Sequence, residues 1–295
     1  MTINPIAASG ENQIIADMAR PHINFRTWAA LLLLGGLTVL FAALGNWQLN
    51  RAAQRDAIHA DIQRAASLPT LTLDASVPAA QLVAWRPAQA TGHWLHRYTV
   101  LIENRNHNGR PGYWVATPLQ LNTQGNAAAV LVLRGWLPRE SVIQQASDGA
   151  PHISPALGHQ LAQHNDPVVV TGQLFAHVPR VLELWTWSDK SRAGVPDTLD
   201  DTRSALPAVQ NLPLADYQRA TGLTLLPVVL AANGPEPGNT PPMVQQWPHP
   251  SSDSDTNRGY ALQWFSFCAI AAGACLFIAW RAVRRTSSRE ATDDA

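Results

Sequence analysis

The stretch AALLLLGGLTVLFAALGNWQL, from Ala29 to Leu49, and the stretch YALQWFSFCAIAAGACLFIAW, from Tyr260 to Trp280, decide how this chain is built. Each makes ~32 Å of helix at ~1.5 Å rise per residue, close to the ~30 Å hydrocarbon layer of a bilayer. Trp28 and Trp47 bracket the first stretch, and Tyr260, Trp264 and Trp280 bracket the second, where amphipathic rings settle at the headgroup levels. Nothing comparable lies between them. The sequence therefore predicts two transmembrane helices, 29–49 and 258–280, enclosing a folded domain over residues 50–257, with short tails at 1–28 and 281–295.

Arginine placement sets the orientation. Arg281, Arg284, Arg285 and Arg289 follow the second span, against Arg258 alone just before it, which keeps the C-terminus in the cytoplasm. Two spans then place the N-terminus there too and the central domain in the periplasm. The first span decides less, because Arg20 and Arg26 precede it while Arg51, Arg55 and Arg64 follow. A competing reading takes Ala43-Leu44-Gly45 as a signal-peptide cleavage site, but the segment before the apolar run is long for that and the run continues past the site. Residues 1–28 carry Glu11 and Asp17 and few arginines, unlike a mitochondrial transit peptide. The expected home is a bacterial inner membrane.

Residues 51–258 hold 15 basic and 16 acidic side chains. Nucleic-acid binding asks for a basic patch or stripe, so no nucleic-acid partner is expected. Both cysteines, Cys268 and Cys275, fall in the second span, seven residues or ~10 Å apart on a helix, too far for a mutual disulfide. The domain must then rest on packing, without a cysteine-based copper or zinc site.

Period-two patterning dominates the domain. After a polar helix at 51–66, strands are expected at 69–73, 88–95, 98–103, 112–121, 130–136, 167–175 and 223–230, with one short helix at 214–220 between Pro213 and Gly222. Many strands and few helices predict a strand-rich α+β domain, a twisted sheet or partly closed barrel. Segments 142–165, 184–206 and 233–255 read as loops from their Pro, Ser, Gly and Asp content.

The chain lacks G-x-S-x-G, a glycine-rich phosphate loop, H-E-x-x-H and C-x-x-C, so no catalytic residue and no metal site is assigned. His93 and His96 would point to opposite faces of a regular strand. His152, His159 and His164 fall in an expected loop, and His107 beside Asn106, Asn108 and Gly109 reads as part of an exposed hairpin turn. Gly109 and Gly112 flank a turn at Arg110-Pro111, and Pro118 marks an edge or bulge. Gly92 reads as a strand bulge. Arg134 either pairs with an acidic group or meets a partner's surface.

Four stretches combine into a pattern: Leu44-Gly45-Asn46-Trp47-Gln48-Leu49-Asn50-Arg51; Glu103-Asn104-Arg105 leading to Gly112 and Val115-Ala116-Thr117-Pro118-Leu119; Val130 to Arg139 with Arg134-Gly135-Trp136 at its centre; and Gly259-Tyr260-Ala261-Leu262-Gln263-Trp264-Phe265. In this order, and with the same membrane hairpin, they resemble the surfeit-locus (Shy-like) family of cytochrome c oxidase assembly proteins from about Trp28 to Arg281. Gly92 fits the strand glycine of that family. The resemblance implies a non-enzymatic factor that helps insert haem a into subunit I of a haem-copper oxidase at the outer face of the membrane. Subunit I, haem A synthase and the lipid bilayer are then the expected partners, and haem a a transient cofactor.

On that footing the expected cofactor contacts are Asn257, Arg258, Tyr260, Trp264 and His249, and the partner or structural positions are Trp47, Gln48, Arg51, Gly92, Gly112, Pro118, Arg134, Gly135 and Gln263. Small residues Gly35, Gly36, Ala269, Ala272 and Gly273 offer close approach of the helices. One departure matters. Relatives commonly carry a histidine three residues before the tyrosine of Tyr-x-x-x-Trp, the natural axial ligand for haem iron, and this chain has Asn257 there. His249 or His59 would have to take that role. Leu133 and Pro213 also replace residues frequent in relatives, Asn and Asp respectively. The departures leave a second reading open, a membrane-tethered interaction scaffold for a respiratory complex without haem binding.

Overall fold

The first apolar stretch belongs to one uninterrupted helix, α1 (Phe25–Ala66), in which the polar run from Arg51 simply continues the turn of the apolar run. The computed structural model describes residues 25–121, 128–145, 151–162, 166–181, 195, 199, 206–234, 242–250 and 253–293. The second apolar stretch lies in α5 (Ser254–Asp293). Both helices are long and apolar enough to cross a membrane, and almost nothing of either apolar window is buried, unlike the core helix of a soluble fold.

The chain divides into two compact units: Met1–Ala57 with Ser251–Ala295, and Ile58–Pro250. In the first unit α1 and α5 run antiparallel. The Cys275 thiol donates to the Leu31 carbonyl (3.8 Å), the Cys268 thiol to the Thr38 carbonyl (3.4 Å), and further along Phe41 stacks on Trp264 with centroids 5.8 Å apart. Both cysteines are free. The closest glycine contact is at Gly45, where a Cβ would stand 2.8 Å from the Phe265 ring. Gly35, Gly36 and Gly273, expected to mediate close approach, have nothing within 4 Å of the Cβ they lack, so the seam is drawn together elsewhere.

The second unit is built on an eight-stranded sheet. Its strands are β1 (Leu71–Leu73), β2 (Pro87–Trp94), β3 (Val100–His107), β4 (Arg110–Leu121), β5 (Ala128–Pro138), β8 (Val168–Phe175), β9 (Ala208–Val209) and β10 (Thr224–Ala232), while β6 (Ile143–Gln145) and β7 (Pro151–Ile153) form a separate pair. Strand order is β1-β2-β8-β10-β5-β4-β3-β9, and an added β2–β4 pairing closes β2, β8, β10, β5 and β4 into a ring. Within the ring only β5 and β10 run parallel. This is a closed five-stranded Greek-key barrel of the OB type, with β1 and the β3–β9 pair as extensions.

Alternating residues from every ring strand fill its interior, among them Ala90, Leu119, Leu121, Val130, Val132, Val170 and Leu230. Opposite residues of β4, β5 and β10 join a second cluster on the outer face, with Trp114, Leu131, Leu133, Trp136, Phe175, Tyr217, Val229 and Trp247. The helix α4 (Leu214–Thr221) packs there; it follows Pro213, which lies just outside its first turn, and ends at Gly222 with φ 68°, whose N–H donates to the Gln218 carbonyl (2.8 Å). In OB barrels the corresponding strand face binds oligonucleotides; here the chain's own residues bury it.

Glycines allow the ring to close. A Cβ on Gly92 would lie 1.9 Å from the Gln120 carbonyl oxygen across the β2–β4 seam, and one on Gly172 would lie 2.2 Å from the Ala231 oxygen across β8–β10. Gly92 keeps regular register with Leu121, so it is a seam residue and no bulge. Pro118 is likewise an interior position of β4, paired with Leu131. Its carbonyl accepts from the Leu95 N–H (2.9 Å), and a strand residue directs its N and C=O to the same edge. The missing N–H therefore faces the gap where β4 exchanges its neighbour β3 for β2, and no ladder bond is lost.

Two further expectations are corrected. The β3–β4 turn is Asn108-Gly109, with φ 49° and 79° as a type I′ hairpin requires, in keeping with the hairpin composition around His107 and two residues before the turn expected at Arg110-Pro111. Gly112 falls inside β4, in the strand expected from residue 112, and a Cβ there would stand 2.2 Å from the Leu137 carbonyl oxygen and 2.5 Å from the Trp136 ring. After the single turn α2 (Arg139–Val142), the expected loop at 142–165 contains β6, β7 and α3 (Pro155–Leu161), with Pro155 at the first helical position, where its missing N–H costs nothing. The 184–206 expectation falls almost wholly outside the described residues; of that stretch Val195, Leu199 and Leu206 are buried or half-buried.

Candidate functional site

Two regions collect the residues singled out by sequence. The first is the end of the helix pair where α5 begins. Asp253 caps α5, accepting from the Thr256 N–H (3.2 Å) and hydroxyl (2.6 Å), and its own carbonyl accepts from Arg55 (2.8 Å). Arg258 donates to Asp56 of α1 (2.7 Å) and to Asp255 (2.8 Å). Arg258 therefore already has two carboxylates. Asn257 is 8 % exposed, and its side-chain Nδ2 is buried without an acceptor. Trp47, Tyr260 and Gln263 are exposed, Gln48 is half-buried, Arg51 donates to Gln54 (3.3 Å) and Trp264 stacks on Phe41. The Leu44–Arg51 stretch and the residues from 257 to 264 thus meet at one end of one helix pair.

These residues do not fit axial ligation of haem iron at position 257. The unpaired group there is an amide N–H, a donor, whereas iron needs a lone pair such as imidazole supplies. His249, the substitute considered above, is an exposed residue of the barrel unit stacked on Trp85 with centroids 5.1 Å apart. His59, on α1, keeps a buried Nε2 without an acceptor or donor partner. Among the described residues no group of three or more His, Cys, Asp and Glu could hold a metal ion. His93 is exposed at the end of β2, and His96 starts a tight turn after it.

The Asp253 cap carries a pH expectation. Hydrogen bonds from the Thr256 hydroxyl and N–H, with a smaller contribution from Arg55, hold its carboxyl below the ordinary 3.8, against a small opposing effect of desolvation. A depressed folded-state value stabilises the fold above 3.8 and loses that contribution as pH falls through the lower folded value. The protection factor of the Thr256 amide, its exchange rate taken relative to the intrinsic rate at the same pH, should therefore be high at pH 7 and fall below pH ~4, and Asp253→Ala should show the low protection at both. High protection in the Asp253→Ala protein at pH 7 would remove the cap from the account.

The second region is the barrel's outer face and the bulges that shape it. Arg134 is the extra residue where β4 and β5 slip register: Val115 pairs with Gly135 and Ala116 with Leu133. The bulge turns Arg134 to the interior side, so that Leu133 and Trp136, three apart, share the outer cluster. Arg134 is 1 % exposed; its guanidinium lies 4.7 Å above Trp94 and Nη1 donates to the Leu161 carbonyl (3.4 Å). These contacts lie inside the barrel unit and away from any exposed surface. At Gly135 a Cβ would be 2.5 Å from Met243, beside the Trp136–Val244 bridge.

A second irregularity, in β3 between Ile102 and Arg105 with Asn104 at φ 57°, aims Arg105 at the outer face, 4.5 Å above Trp114. Trp114 meets Trp247 edge-on (5.4 Å), and Trp247, Phe175, Trp85 and His249 continue the contact across the face. His107, expected to be simply exposed, packs against Trp136 (5.2 Å). Sequence reasoning quoted Arg105 and Trp136 only as parts of motifs and gave neither them nor Trp114 and Trp247 a role, because two bulges, and no local motif, bring them together.

With this geometry in hand, comparison with known proteins gives a definite class. The SURF1 family profile matches residues 36–269, most of the chain, and the chain belongs to that family. It is similar to the cytochrome oxidase assembly protein SHY1 of Saccharomyces cerevisiae, 27% identical over 128 residues, which are 43% of this chain and 32% of the relative. It is also similar to a SURF1-like protein of Rickettsia bellii, 25% identical over 118 residues, 39% of this chain and 46% of the relative. The matched stretches span about a third and just under half of those relatives' lengths.

Proposed function

We propose that this chain is an assembly factor for a haem-copper cytochrome c oxidase that helps haem a insertion into subunit I at the outer face of a bacterial inner membrane. The observation that carries the reading is membership of the SURF1 family over residues 36–269, joined to the likeness to SHY1, whose name states oxidase assembly. The arginines after Trp280 support cytoplasmic termini and a periplasmic barrel. Subunit I and haem A synthase are the partners proposed on this reading, with no bond-making chemistry in the chain itself.

The buried, imidazole-free position 257 favours a second reading, a membrane-tethered scaffold that holds oxidase components without binding haem. A deletion strain tests the first: active haem-aa3 oxidase should fall while haem a is still made. Loss of haem a itself would move the protein upstream into synthesis and overturn the assembly reading. Reporter fusions near residue 124 and after Arg289 should report opposite sides of the membrane, the former outside; a cytoplasmic signal near residue 124 would contradict the orientation.

A further inference from the structure

The two ends of the helix pair treat their arginines differently. Where α5 begins, Arg258 meets Asp56 and Asp255, and Arg55 donates to the Asp253 carbonyl. At the opposite end the helices supply no carboxylate: α1 has no acidic residue from Phe25 to Arg55, and α5 has none from Asn257 to Arg289. That end nevertheless carries Arg26 of α1 together with Arg281, Arg284, Arg285 and Arg289 of α5. Arg26 and Arg281 are exposed, and no ion pair among the described residues includes either.

The register of the pair gathers these arginines at one depth. Leu31 lies opposite Cys275, so on antiparallel helices Arg26, five residues or ~7.5 Å further along, comes level with Trp280. Arg281 follows that indole directly, and the Arg284 guanidinium lies 4.2 Å above its ring, drawn back to the depth of the tryptophan. Trp280 ends the apolar stretch, where indoles settle among lipid headgroups. A guanidinium at that depth faces phosphodiesters, which its planar fork matches through paired hydrogen bonds. A zwitterionic headgroup would bring its own cation against the same arginines, so charge complementarity selects a headgroup that is anionic overall. We propose that Arg26, Arg281 and Arg284, beside Trp280, form a binding site for the headgroup of an anionic phospholipid. Orientation alone asks only that arginines lie on one side of the membrane; their collection at the depth of one tryptophan, with no carboxylate on either helix there, is what a headgroup site adds. The inference rests on the two helices crossing a bilayer, and neither on their orientation nor on the assembly reading.

The test offers the full-length protein, in detergent micelles, dioleoyl phosphatidylglycerol or dioleoyl phosphatidylcholine and counts bound lipid by native mass spectrometry. The wild-type protein should hold phosphatidylglycerol about tenfold more tightly or better, the order expected when two or three arginines act on one anionic headgroup. Arg281→Gln with Arg284→Gln should lose most of that preference and leave phosphatidylcholine binding unchanged; both side chains are exposed, so the fold is not at stake. Arg64→Gln with Arg219→Gln removes the same charge from exposed positions of the other unit and should keep the preference. Equal retention of the two lipids by the wild type would overturn the site, and that comparison needs no variant. So would a preference that survives in the Arg281→Gln, Arg284→Gln protein, or one that falls as far in the control pair, since net charge alone would then explain it. Displacement of bound phosphatidylglycerol by millimolar glycerol phosphate would assign the arginines to a soluble phosphate ester and overturn the lipid assignment; retention against it would support a membrane lipid.

Discussion

Gly92→Ala should leave the barrel unable to close. The added Cβ would stand 1.9 Å from the Gln120 carbonyl oxygen and 2.8 Å from its carbon, both backbone atoms that have no rotamer through which to retreat. Either β2 parts from β4 or the seam shifts, and both disturb an interior to which all five ring strands contribute. The cost should be about 3 kcal/mol or more, the range of overpacked cores and strained backbone, enough to unfold a marginal domain. The readout is the thermal midpoint of the purified protein from near-ultraviolet circular dichroism of its tryptophans. Gly109→Asn is the control. Its φ of 79° is one that asparagine tolerates, and nothing lies within 4 Å of the added carbon. An unchanged midpoint in the Gly92→Ala protein would mean that β2 and β4 do not meet as described.

Arg134→Ala should be nearly as damaging. Removing the side chain uncovers the Trp94 ring, takes a donor from the Leu161 carbonyl and opens a void inside the fold. Together these should cost about 3 kcal/mol. Arg134→Met, which keeps the volume and the contact with Trp94, should recover much of the loss. If the alanine and methionine proteins melt alike, packing is not what Arg134 supplies, and the guanidinium's hydrogen bonds carry its role. The adjacent Gln245 amide, which donates to the Arg134 carbonyl (3.0 Å), would keep the bulge in place in all three proteins.

The membrane helices were legible because a predominantly apolar stretch of 21 residues bracketed by tryptophan and tyrosine has few other uses. The ring strands were legible to within two or three residues, because each has one face inside the barrel and one outside, which writes a period of two. Ring closure was not legible. It depends on Gly92 and Gly172, and a lone strand glycine reads equally well as a bulge. Neither were the bulges themselves, since Glu103, Asn104 and Arg134 carry no local mark of the partner strand's register. Pro155 and the two-residue β9 were lost because proline-rich composition suggests a loop even where a short element stands. At the site, sequence order did bring the Leu44–Arg51 and Gly259–Phe265 motifs to one end of the helix pair. It quoted Arg105 only as part of a motif, and the burial that sets it apart is visible only once the chain is folded.

The central claim, haem a insertion into subunit I, is most directly tested by the composition of the oxidase made in a deletion strain. Subunit I should be purified from that strain and from the parent, and haem a measured per subunit I. The account predicts subunit I markedly deficient in haem a in the deletion strain, although haem a is present in the same membranes, with recovery when the chain is restored. Subunit I carrying its full haem a complement without this protein would contradict it.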